Sequence, residues 1–212
     1  MALTVDELVV ADPPEAWAGL GFAVEDDTCV LGEVRVRLAS REAGKGLAGW
    51  SLRGAESTEL DGLPTARSER EPPAAAPVHP NGIGAIDHVV AITPALERTV
   101  AALDAAGLDL RRIREEPTPA GAPRQAFFRL GPTILEVVQE PEEAIERGGG
   151  ADRPAFFWGL AFVAADLEAT VAGLGEHVSE VREAIQPGRR IATLRRSAGL
   201  SLPVALMTPR PS

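Results

Sequence analysis

The chain has 212 residues, 45% of them hydrophobic and 25% charged, enough to bury one large or two small cores and too apolar for disorder to dominate. Its 21 Lys and Arg against 31 Asp and Glu leave a formal charge of −10, which repels phosphate backbones and anionic membranes at long range, so neither is expected as a partner. The single cysteine, Cys29, excludes an intrachain disulfide and a thiolate zinc cluster, and no basic leader or apolar run near the roughly 20 residues of a membrane span is seen, so a cytoplasmic protein is expected.

In chain order, Asp6-Glu7-Leu8-Val9-Val10 reads as a strand, and a short Pro-led helix follows at Pro13. Cys29-Val30-Leu31 and the alternating Val34, Val36 and Leu38 predict further strands, and Gly49 to Arg53 an additional one. Cys29 sits among apolar residues with no basic neighbour in sequence, which marks a buried structural thiol rather than a nucleophile. Residues 65–84 are rich in Pro and Ala, and each Pro fixes φ and removes a donor, so an extended connector is predicted. It divides an N-terminal unit, 1–64, from a larger part, 85–210. His79 in the connector and His177 farther on lack metal-ligand spacing and read as solvent-facing.

The larger part is duplicated. Ile86-Asp87-His88-Val89-Val90 predicts a strand, and Leu96, Val100 and Leu103 recur at helical spacing, with Thr93-Pro94 as start and Gly107 as stop. Arg124 to Arg129 and Thr133 to Val138 then read as a hairpin. Phe157 to Val163, the Leu167, Val171 and Leu174 stripe, Arg190 to Arg195 and Leu202 to Met207 repeat the order, and a loop with Gly148-Gly149-Gly150 joins the copies, 85–140 and 155–210. The repeat carries His88 onto Gly159 and Glu136 onto Val204. The N-terminal unit reads as a third, eroded copy, Asp6-Glu7 matching Asp87-His88.

Taken together, Ile86 to Val90, the Leu96 to Val100 helix, Phe127-Phe128-Arg129-Leu130-Gly131 and Ile134 to Val138 resemble the vicinal oxygen chelate superfamily, the glyoxalase, bleomycin-resistance and extradiol-dioxygenase group. The resemblance implies an α+β fold in which paired βαβββ modules form an open sheet bowl with helices outside, here beside a degenerate N-terminal module. It also implies a divalent ion, Zn, Fe, Mn, Ni or Mg, held in the bowl by a first-strand His and a last-strand Glu of each module. His88 and Glu136 stand at those positions in the first module, as metal ligands or as a general acid and base. Gly159 and Val204 offer no donor in the second, so half of the usual set is present.

Strict alternation places Ile86, His88, Val90 and Ile92 on one strand face, and Ile134, Glu136 and Val138 on one face of the partner. With a hairpin turn at Gly131-Pro132, Gln125, Phe127 and Arg129 share the Glu136 face, where Arg129 meets a ligand carboxylate and Phe127 stacks on a planar group, unless they serve as surface charge and core. Arg111, Arg112, Arg114, Arg189, Arg190, Arg195 and Arg196 read as solvated edge charge or as an anionic-ligand rim. Alternation turns Trp158 toward the helix layer, and the bare Gly159 enlarges the bowl. Three functions follow: a glyoxalase-like protein binding a small organic molecule with its metal site reduced or lost; a metal-dependent lyase, isomerase or dioxygenase using His88 and Glu136; or a structural role in which the N-terminal unit forms a homodimer surface.

Overall fold

The computed structural model describes residues 3–118 and 121–210. An N-terminal sheet is built from β1 (Thr4–Val10), β2 (Thr28–Leu31), β3 (Val34–Leu38), β4 (Leu47–Arg53) and β5 (Thr65–Ser68), with α1 (Pro14–Gly19) after its first strand. The larger sheet takes β6 (Ile83–Thr93), β7 (Asp109–Arg114), β8 (Gln125–Leu130), β9 (Thr133–Gln139), β10 (Phe156–Ala164), β11 (Arg182–Glu183), β12 (Arg190–Thr193) and β13 (Val204–Met207). Three helices accompany it, α2 (Leu96–Ala105), α3 (Glu142–Arg147) in the inter-module loop, and α4 (Leu167–Leu174). The molecule is α+β, with two mixed, open sheets.

The eight strands run in the order β11-β12-β13-β10-β6-β9-β8-β7, so the two modules meet where β6 pairs antiparallel to β10. In each module the first strand lies parallel to the last, β6 to β9 and β10 to β13. The helix crossover returns the chain at the far edge, as β7, and the antiparallel turns to β8 and β9 then bring the last strand back beside the first in the parallel sense. Leu96 and Leu103 of α2 and Leu167 and Leu174 of α4 are buried in the core, and the face opposite the helices is left as the concavity.

The N-terminal sheet, ordered β2-β3-β1-β4-β5, reproduces the central five strands of the larger sheet with every sense kept: antiparallel, parallel, antiparallel, parallel. It corresponds in order and sense to β8-β9-β6-β10-β13, strands drawn from both modules of the larger sheet. The extra strand expected near Gly49 is β4, the counterpart of β10. Thr65 to Ser68, expected within the connector, pair with β4, and the connector that follows lies along the sheet, with Arg70 bound to Asp6 and Glu7. The two sheets share one core: Phe162 of β10 meets Trp17 and Phe22 at centroid distances of 5.9 and 5.8 Å, and Trp50 of β4 meets Phe157 at 5.1 Å.

Two other sequence expectations are corrected here. His79 is buried, not solvent-facing; its Nδ1 accepts the Ala23 N–H at 2.9 Å and its Nε2 lies 2.9 Å from the Val30 carbonyl, which pins the connector to the N-terminal unit. His177 is half-buried, with an Nδ1 that has no partner among the described residues. Cys29 is fully buried as expected, and burial pushes its thiol up to about 12, so it is inert as a nucleophile.

Candidate functional site

The concave face follows from register. Arg129, Ile134, His88 and Ala161 form one row across β8, β9, β6 and β10, and Phe127, Glu136, Val90 and Gly159 form the next. His88 and Glu136 therefore come together diagonally on adjacent parallel strands, with His88 Nε2 3.4 Å from Glu136 Oε2. The Gln125 amide donates to the other Glu136 oxygen, and its own Oε1 is buried without a partner. Gln125, Phe127 and Arg129 do share the Glu136 face, because the hairpin turns at Gly131 as expected.

Among the described residues, alternation is interrupted at six register shifts, each skipping one residue and so re-aiming side chains. Asp87 is one: His88 pairs with Ala161, but Ile86 pairs with the adjacent Phe162, so Asp87 has no opposite residue. Ile86 is thereby turned into the core beside Phe162 rather than into the bowl, and Asp87 lines the cavity in its place. The sequence gives no sign of this, since a strand pattern cannot show where its partner skips a residue. The other shifts fall at Asp6, Ala48, Gly84, Arg111 and Trp158. Trp158, expected against the helices, is 48% exposed as a result.

Asp87 organises one end of the site. Its Oδ2 lies 2.8 Å from His88 Nδ1, and Arg189 donates to both of its oxygens at 2.9 and 3.2 Å. Burial would raise the Asp87 carboxyl, but hydrogen bonds and positive charge from His88 and Arg189 outweigh it and hold the group well below the usual carboxylate range. An ionised Asp87 can only accept, so Nδ1 of His88 carries a hydrogen and Nε2 faces Glu136. At Glu136 the balance is reversed: burial pushes its carboxyl up, more than His88, the Gln125 hydrogen bond and Arg112 pull it down. Glu136 is thus a carboxyl that keeps its proton to a higher pH than an ordinary one, 3.4 Å from Nε2 of His88.

The second module lines the cavity with Arg182, Gln186, Arg189 and Arg210 but with no His or carboxylate among the described residues. Val204 pairs with Leu160 on the core side, so it is not the counterpart of Glu136; that position is Ala205, opposite Ala161. Gly159 does not widen the bowl either, because a Cβ built there falls 2.6 Å from the Pro203 carbonyl oxygen, which fills the space. Glu7, the counterpart of His88, is bound to Arg37 and Arg70 on the other sheet. The donor set does not fit the divalent ion the resemblance implies. Asp87 and Glu136 sit at opposite ends of the His88 ring, and among the described residues no three His, Cys, Asp or Glu converge on one point.

Two adjoining cavities, of about 380 and 810 Å³, open over this pair and share His88, Arg112, Phe127 and Glu136. Arg112 lies 4.8 Å above the Phe127 ring. The segment Ala184 to Pro187, before β12, closes one side of the mouth.

No protein-family model matches the sequence, and no curated protein does. Solved structures do. A xylose isomerase-like TIM barrel/4-hydroxyphenylpyruvate dioxygenase fusion protein matches all of this chain, which spans 49% of that protein, at 14% identity and a TM-score of 0.63. Methylmalonyl-CoA epimerase from Mycobacterium tuberculosis matches 61% of this chain and 91% of its own at 17% identity and a TM-score of 0.48, and the Streptomyces coelicolor epimerase 59% and 97% at 21% identity and 0.47. With the match over the whole chain and the modular strand order together, the fold is that of the vicinal oxygen chelate superfamily.

Proposed function

We propose that this protein binds a small organic molecule in the bowl of the larger sheet, over His88 and Glu136, with the metal site of its fold reduced or lost. The observation that carries this reading is the cavity itself, which brings a buried polar pair, an aromatic ring and apolar walls from Ile191 and Met207 into one concave space. Four-ligand chemistry is opposed by a second wall that offers no His or carboxylate among the described residues. Elemental analysis of the purified protein, alone and after incubation with Zn, Fe, Mn, Ni or Mg, is expected to find well under one ion per chain, unchanged in His88→Ala and Glu136→Ala. A stoichiometric ion lost in either variant would instead establish a metal-dependent lyase, isomerase or dioxygenase.

A second reading, an isomerase that moves a proton at a carbon next to a carbonyl, rests on the Asp87-His88-Glu136 alignment. Asp87 fixes the ring, and Glu136 and Nε2 exchange a proton with the bound molecule, the role a matched acid and base plays in such chemistry. In deuterated buffer a bound ligand with an acidic C–H would incorporate deuterium, and His88→Ala and Glu136→Gln would each slow the exchange by about 10²-fold or more. Exchange at the same rate in both variants would dismiss this reading.

A further inference from the structure

The smaller cavity is lined by five arginines, Arg111, Arg112, Arg129, Arg189 and Arg210, against two carboxylates, Asp87 and Glu136. Such a concentration of positive charge is notable in a chain whose formal charge is −10. Three of the five have internal partners: Arg189 and Arg210 are bound to Asp87, and Arg111 to Asp109. Arg112 and Arg129 have no ion pair among the described residues, although acidic side chains outnumber basic ones in the chain.

Their placement is set by the sheet. The bulge at Arg111 lets Arg112 pair with Phe127, and Arg129 lies in the His88 row, so the two guanidiniums stand at the β7 and β8 side of the cavity. Stacking on Phe127 holds the Arg112 head group while leaving its donors free. A guanidinium stays charged at any physiological pH, and two of them beside an apolar wall focus a positive potential into the concavity. The protein supplies a counter-ion for every other arginine of this cavity.

We propose that the counter-ion is part of the ligand: the bowl takes a small organic anion, a carboxylate or a phosphate ester, whose charged end pairs with Arg112 and Arg129 and whose body lies over Phe127 toward His88 and Glu136. This rests on the reading of the bowl as a binding site and adds the ligand's charge. Charge-assisted, forked hydrogen bonds to an oxyanion are the recognition for which arginine is suited.

The test uses three probes with one ring: benzoate, phenyl phosphate and the neutral benzamide, titrated into the full chain at low ionic strength with amide chemical shifts and ligand-detected NMR as readouts. One of the two anions is expected to bind at least about tenfold more tightly than benzamide, and which one it is tells carboxylate from phosphate. The preference should fall to about twofold or less in Arg112→Gln with Arg129→Gln, and remain in the exposed control Arg147→Gln. Benzamide binding as well as the anions, with shifts at the bowl, would overturn the anion assignment alone. Binding of anions that the double variant leaves unchanged would place the anion site elsewhere and also overturn it. No bowl shifts with any probe would count against both the assignment and the bowl as a ligand site. Unchanged thermal melting of the double variant confirms that lost preference is not lost folding.

Discussion

At the scale of single residues, the two carboxylates beside His88 have opposite consequences for stability. Folding lowers the Asp87 pKa, so the folded state holds fewer protons there, and the stability it contributes is present above the ordinary carboxylate range and lost as pH falls through the depressed value. Asp87→Asn leaves Arg189 buried without its counter-charge and should cost about 3 kcal/mol at neutral pH, read from urea denaturation. Folding raises the Glu136 pKa, so stability falls as pH rises through the window between the ordinary and the raised value. Glu136→Gln should therefore flatten that window and raise the melting midpoint above it, by roughly 2–4 °C if the relief is about 1 kcal/mol. A lower midpoint at every pH would show that the ionised carboxyl supports the fold. That Gln125, Phe127 and Arg129 share the Glu136 face was legible in the sequence from strand period and the turn at Gly131, and the family resemblance drew attention to His88 and Glu136. Asp87 was not, since its orientation depends on a partner strand distant in sequence.

Among the elements, the bulged first strands are the features that position the site. Asp6 in β1 and Asp87 in β6 occupy equivalent bulges, and each is clasped by arginines: Arg35, Arg53 and Arg70 for Asp6, Arg189 and Arg210 for Asp87. For Asp6, burial raises the carboxyl, but Ser68, Arg70 and Arg53 outweigh it and lower the pKa. The clasp survives in a sheet without a His88 equivalent, so its first service is to the strand and not to the ligand. Asp6→Asn is accordingly expected to destabilise the protein by an amount similar to Asp87→Asn, about 3 kcal/mol, while leaving the affinity of any bowl ligand unchanged. A change in ligand affinity at folded concentrations would tie the two sheets together functionally. Helix periods and strand pairs were visible in the sequence, whereas Val204 was assigned one residue out of register, since only the pairing of β10 with β13 shows which side of β13 packs on the core.

In the whole molecule, the N-terminal sheet has the strand order and senses of the middle of the paired-module sheet without its edge strands, and the aromatic residues beside it cover the back of β10. The sequence suggested one module-like unit there; that β4 and β5 match β10 and β13 was not legible, because no helix or hairpin pattern accompanies them. A chain beginning at Gly82 would uncover Phe157 and Phe162, which should make it aggregate or melt well below the full chain, and Phe162→Ala in the full chain should cost about 3–5 kcal/mol. A stable, monomeric fragment would refute that dependence. Among the described residues no helix is long and apolar enough to cross a membrane.

The Pro203 carbonyl beside Gly159 also limits what can be built into the bowl. Any side chain at 159 would first have to push Pro203, and with it the start of β13, aside. The second wall is therefore closed to a new donor at this position while β13 keeps its place, and a redesign that seeks to add one has to start from the strand pairing and not from the side chain.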